Sequence, residues 1–151
     1  MNYYSKDMLS KFLDKTLKET SISDFQKVNI DNDSDINYIL VPNLDENTKL
    51  NILLYCTDKK TLTLFCPILY KTKYQDSIIF TLNVINTVNS RMAVGKLYLN
   101  QQPDLVVSYI NRILFNNILN ELTPKLLDEY IESFLLTAFD FFNTMKTRTH
   151  E

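Results

Sequence analysis

Glycine occurs once in 151 residues, at Gly95, tryptophan not at all, and histidine once, at His150. One glycine excludes a glycine-rich phosphate loop, because both common kinds need two or three close together for the backbone to approach the phosphates. A lone histidine one residue from the end, where chains fray, supplies neither half of a metal pair nor a buried general base. Cysteine is nearly as scarce. Cys56 and Cys66 both fall inside strand-like runs, whereas a secreted domain stapled by disulfides carries several cysteines at loop positions. Zinc-ligand spacing is missing, and a cysteine nucleophile would have no histidine as its base. Both cysteines read as buried core thiols.

Positive charge is not in excess either. Sixteen Lys and Arg are scattered among eighteen acids for a net charge of −2, so there is no broad field to hold a phosphate backbone, and nucleic acid is not the expected partner. No apolar run approaches the roughly eighteen residues that span a bilayer. The opening Met1–Asp7 lacks the basic-then-apolar order of a signal peptide. The expectation is a cytoplasmic chain with no membrane segment, no metal and no cofactor. What is present is ordinary globular composition: 45% hydrophobic and 23% charged residues, with nine Phe and nine Tyr, enough for one domain over residues 1–151.

Met8, Leu9, Phe12, Leu13 and Leu17 recur at helical spacing and predict a helix over residues 5–19. Phe25–Ile30 and Ile36–Val41 read as one strand or two around a polar stretch at residues 31–35. Lys49–Thr57 and Leu62–Tyr70 form a hairpin over a four-residue loop, Asp58-Lys59-Lys60-Thr61. A helix follows over 75–89, with Ile78, Ile79, Leu82, Ile85 and Val88 as its stripe. A hairpin comes next, Val94–Leu99 and Leu105–Tyr109 or further, around Asn100–Pro103. Whether 112–119 is strand, loop or short helix stays open. Thr123 caps and Pro124 begins a long last helix, whose stripe is Leu127, Tyr130, Ile131, Phe134, Leu135, Ala138, Phe142 and Met145. The fold class is α+β: helix, three-stranded antiparallel meander, helix, two-stranded hairpin, long C-terminal helix.

Candidate chemistry is thin. Asp31-Asn32-Asp33-Ser34-Asp35 supplies the first three oxygens of a calcium loop, but Ile36 stands where glycine must turn the chain and Pro42 where a bidentate Glu is needed. It reads as a solvated turn. Asp128, Glu129 and Glu132 lie in the first turns of a helix, where they complement its dipole. Lys59-Lys60 reads as a hairpin tip, and Lys71 with Lys73 as a loop. The informative feature is the central hairpin. Paired as Leu53 to Cys66, Tyr55 to Leu64 and Cys56 to Thr63, it places the cysteines on opposite faces. Leu53, Tyr55, Leu62, Leu64 and Ile68 then share one face, and Ile52, Leu54, Phe65 and Leu69 the other. With both faces apolar, one either lies inside the monomer or meets another chain. Leu53, Tyr55, Leu62 and Leu64 are the candidate partner or dimer face.

Ile85-Asn86-Thr87-Val88-Asn89, Val94-Gly95-Lys96-Leu97-Tyr98-Leu99, Asp104-Leu105-Val106-Val107-Ser108-Tyr109 and Leu122-Thr123-Pro124 together resemble the YbjN family. These are bacterial proteins labelled as sensory transduction regulators. The likeness runs in order over nearly the whole chain, including strands that end in Pro67-Ile68-Leu69-Tyr70. Asn-Gln-Gln-Pro-Asp after Leu99 and the apolar stretch 112–119 depart from the pattern. The resemblance implies a fold similar to that of type III secretion chaperones, which often pair and hold a segment against an apolar sheet surface. It implies no catalytic residues. The expected function is a non-enzymatic interaction module, regulatory or chaperone-like, that binds a protein partner or its own copy. The alternatives are an immunity or antitoxin-like protein and a small-ligand binder.

Overall fold

A spacing of four puts Leu9, Leu13 and Leu17 on one side of a helix, and α1 (Tyr3–Lys18) buries all three, while Met8 stands 43% exposed. The structure, a computed structural model, describes residues 3–22, 24–28, 36–56, 58–72, 77–101 and 105–149. After α1 come β1 (Phe25–Val28), β2 (Ile36–Leu40), β3 (Ile52–Cys56), β4 (Thr61–Lys71), α2 (Ser77–Arg91), β5 (Lys96–Asn100), β6 (Val106–Leu114), the single turn α3 (Ile118–Glu121) and α4 (Pro124–Thr149). The strands make one antiparallel sheet in the order β1-β2-β3-β4-β6-β5.

The α+β class is as expected, with a longer meander. β1 and β2 are separate strands, paired from Phe25–Leu40 to Val28–Asn37, so four strands rather than three precede α2. The calcium-like spacing at 31–35 and His150 lie outside the described residues. Stretch 112–119 divides: β6 runs to Leu114, and α3 starts at Ile118.

The apolar alternation of the strands turns one sheet face toward α1 and α4. Across that face run Tyr38, Leu54, Leu64 and Asn111 in one row and Ile36, Cys56, Leu62 and Ile113 in the next. Tyr38 donates its hydroxyl to Asp14 of α1, which also pairs with Lys27 at 3.3 Å. On the other side of the core, the ring of Tyr109 lies 4.9 Å from that of Phe134, and Tyr70 lies 5.6 Å from Phe141.

Local chemistry sets the ends of the elements. Thr123 Oγ accepts the amide of Leu126 at 3.1 Å and Pro124 takes the first helical position of α4, as expected. Phe141 joins the fully buried stripe of that helix, and Phe142, predicted there, is only partly covered. In α2 the stripe is rotated from the predicted one: Thr81, Val84, Ile85 and Val88 are buried, while Ile79 is 73% and Leu82 38% exposed. The rotation follows from where α2 docks. Asn89 donates to the Leu97 carbonyl and accepts the Leu97 amide, both at 2.9 Å, so its side chain pairs with the edge strand β5 as a further strand would. Arg91 and Asp140, 2.7 Å apart, tie α2 to α4.

Candidate interaction face

The central hairpin pairs one residue out of the predicted register. Leu53 faces Phe65, Leu54 faces Leu64, Tyr55 faces Thr63 and Cys56 faces Leu62. The cause is at the turn. The Asp58 carboxylate accepts the amides of Lys60 and Thr61 at 2.8 and 2.9 Å, which brings Thr61 into β4 and starts that strand one residue earlier than predicted. The carbonyls of Lys59 and Lys60 then accept the amides of Ile118 and Phe115, each at 2.7 Å, so α3 fastens the tip. Lys59 and Lys60 therefore sit at the hairpin turn, as read from the sequence.

A one-residue slip moves every side chain of a strand to the other face. The four predicted residues accordingly do not share a surface. Leu62 and Leu64 are fully buried in the core, while Leu53 and Tyr55 are half-buried on the opposite, open face. Phe65, predicted to lie away from them, is their neighbour. Both cysteines lie on the core face, correcting the expectation of opposite faces. Cys56 opposes Leu62, and Cys66 is four residues further along β4, about 13 Å at the strand rise, too far for a disulfide.

The open face is built by register. One row crosses the sheet as Gln26, Ile39, Leu53, Phe65, Ile110 and Lys96, and the next as Val28, Asn37, Tyr55, Thr63 and Arg112. Tyr98 lies beside them, opposite Ser108. Ile39, Leu53, Tyr55, Phe65, Tyr98 and Ile110 are half-buried, yet none belongs to the core cluster or to the side chains packed against it. At the β4 bulge between Cys66 and Tyr70 the strand bends, and Ser108 Oγ donates to the Pro67 carbonyl at 2.7 Å, pinning the bulge to β6. Phe65, Ile39 and Ile110 escaped the sequence reading. The signal that could have found them is the Asp at the hairpin's first turn position.

The remaining candidates have structural duties or no partners in chemistry. Asp128 accepts the Ser21 amide at 3.1 Å and the Ser21 hydroxyl at 2.8 Å, tying the exit of α1 to α4. Among the described residues no three His, Cys, Asp or Glu side chains gather to hold a metal ion, and no helix is long and apolar enough to cross a membrane. A cleft of about 420 Å³ lies between the α1–β1 connection, the β2–β3 loop and α4, with Asp24, Lys49, Asp128 and Glu132 among its lining.

Burial pushes the thiols of Cys56 and Cys66 up to about 12, and the phenol of Tyr109 likewise to about 12. A thiol kept protonated is a poor nucleophile. The folded state favours the neutral forms, so above the ordinary thiol value of 9.0 the unfolded chain ionises first and binds fewer protons. The contribution of the thiols is thus complete below pH 9 and falls as pH rises toward 12, by about 1.4 kcal/mol per pH unit for each thiol, and that of Tyr109 falls likewise from pH 10. Urea midpoints are expected to stay flat from about pH 7 to 8.5 and to drop steadily above 9. At about pH 8 a thiol reagent should label the native protein negligibly and the urea-unfolded chain twice. Rapid native labelling would place the thiols outside the core.

No family model matches this chain, and no curated protein matches it. A solved structure similar to it is the crystal structure of YbjN, a proposed transcription regulator from E. coli. The likeness covers 94% of this chain and 92% of that one at 11% identity, with a TM-score of 0.47. At that score and identity it assigns no family.

Proposed function

We propose that this protein is a non-enzymatic interaction module, regulatory or chaperone-like, that holds a protein partner against the open face of its sheet. One observation carries the reading: six large apolar side chains, three of them aromatic, share that face, and none belongs to the core. Contiguous apolar surface of this kind marks interaction sites, and aromatic residues at the centre of a face are the usual anchors. A rigid six-stranded sheet presents them in fixed positions, which lowers the ordering cost of binding. A self-pair, a toxin or a client segment would each use the same surface.

The test compares proteins retained from a lysate of the source cells by the wild type and by Phe65→Asp, with circular dichroism confirming that both are folded. A partner held by the wild type and lost by Phe65→Asp is the expected result. Equal retention would remove the open face from the account. The second reading, a small-ligand protein, draws on the cleft near Asp128, whose volume falls in the range of ligand sites.

A further inference from the structure

Resting on the reading of the open face as a docking surface, we propose that its occupant is an acidic, apolar peptide segment of another protein. None of the six strands contains an Asp or Glu, although the chain has eighteen acids. Among the described residues every Asp and Glu lies in a helix or a connection. The strands instead hold Lys27, Lys71, Lys96 and Arg112. Lys27 is turned to the core side, where it meets Asp14. Lys96 and Arg112 stand exposed on the open face, in the same rows as Phe65 and Tyr55. A chain of net charge −2 therefore presents a locally cationic sheet surface.

The geometry also spaces the charges from the anchors. Tyr55 and Arg112 are separated by one strand, as are Phe65 and Lys96, which puts each cation about 10 Å from its aromatic neighbour at the inter-strand spacing. That distance is about three residues of extended peptide or about seven of helix. A segment with an apolar residue on Tyr55 or Phe65 and a carboxylate that far along it would reach both. Arg112 suits this role, because guanidinium pairs with a carboxylate through two parallel hydrogen bonds. A second copy fits less well, since it would bring one carboxylate-free face against another. Single-stranded nucleic acid stacks on aromatics of this kind but tracks a longer cationic groove than two exposed side chains provide.

The experiment selects random twelve-residue peptides on the immobilised wild type and removes those that also bind Phe65→Asp. The peptides that remain are made synthetically and titrated against the wild type and the double variant Lys96→Gln/Arg112→Gln. Both substituted side chains are exposed, so the fold should persist. Peptides rich in Asp or Glu beside apolar residues are expected, with affinity falling on the order of tenfold in the double variant and in higher salt. Phe65-dependent peptides without acidic enrichment, or with unchanged affinity for the double variant, would overturn the proposal and leave the docking surface standing. Failure to find any Phe65-dependent peptide would overturn both. A homodimer dissociated by Phe65→Asp in light scattering, or tight Phe65-dependent binding of an oligouridylate run in parallel, would overturn the acidic-peptide assignment.

Discussion

Gly95→Ala is expected to lower the melting temperature by about 4 to 20 °C, the conversion for a domain of this size being about 2–4 °C per kcal/mol. Gly95 has φ +75°, and a Cβ there would sit 2.3 Å from the Tyr109 hydroxyl oxygen and 2.6 Å from Cζ. The left-handed backbone alone costs a non-glycine residue about 1–2 kcal/mol. Tyr109 has little room to yield, because it is fully buried and its ring packs on Phe134 at 4.9 Å. Overpacking of that kind adds about 1–3 kcal/mol. Paired with Tyr109→Phe, which removes the nearest clashing atom, the alanine variant should recover part of the loss. Thermal unfolding followed by circular dichroism reads both. A fall of less than about 2 °C for Gly95→Ala would mean that β5 does not hold this glycine against Tyr109.

Leu64→Asp and Phe65→Asp, adjacent in sequence, are expected to have opposite outcomes for the fold. Leu64 is fully buried between Leu54 and Asn111, so an aspartate there places an unpaired carboxylate in the core. The loss should exceed about 4 kcal/mol, a large part of the stability of an ordinary domain. Phe65 lies on the open face, where a carboxylate stays wet, and its substitution should cost about 1–2 kcal/mol and leave the fold intact. Urea unfolding of the two variants decides the hairpin register directly. A folded Leu64→Asp with an unfolded Phe65→Asp would restore the register in which Tyr55 faces Leu64.

That pair also shows where sequence reasoning stopped. Helical periodicity located α1 and α4 because their apolar residues repeat over several turns, and Thr123-Pro124 marked a start that the chain uses. The face of a strand has no such redundancy, since its period of two makes a single-residue error total. The turn that sets the register was decided by Asp58 gathering two amides, a local competition that apolar patterning cannot register. In α2 the pattern was ambiguous, because Ile79 and Leu82 are as apolar as Val84 and Val88. The choice fell to Asn89 pairing with Leu97, a contact with a strand later in the chain. The two cysteines were rightly read as buried, though on a shared face. Of the four candidate residues, Leu53 and Tyr55 lie on the open face, and Leu62 and Leu64 lie in the core by the same slip.

The open face of the sheet as the site of partner contact is the central claim, and site-specific photocrosslinking in the source cells tests it most directly. A photoreactive phenylalanine analogue would replace Tyr55 on the open face or, in a second strain, Leu136, which is 56% exposed on α4. The expected result is a discrete protein adduct from position 55, abolished by Phe65→Asp, and none from position 136. Adducts from position 136 with none from 55 would move the interface to the helical side and contradict the account.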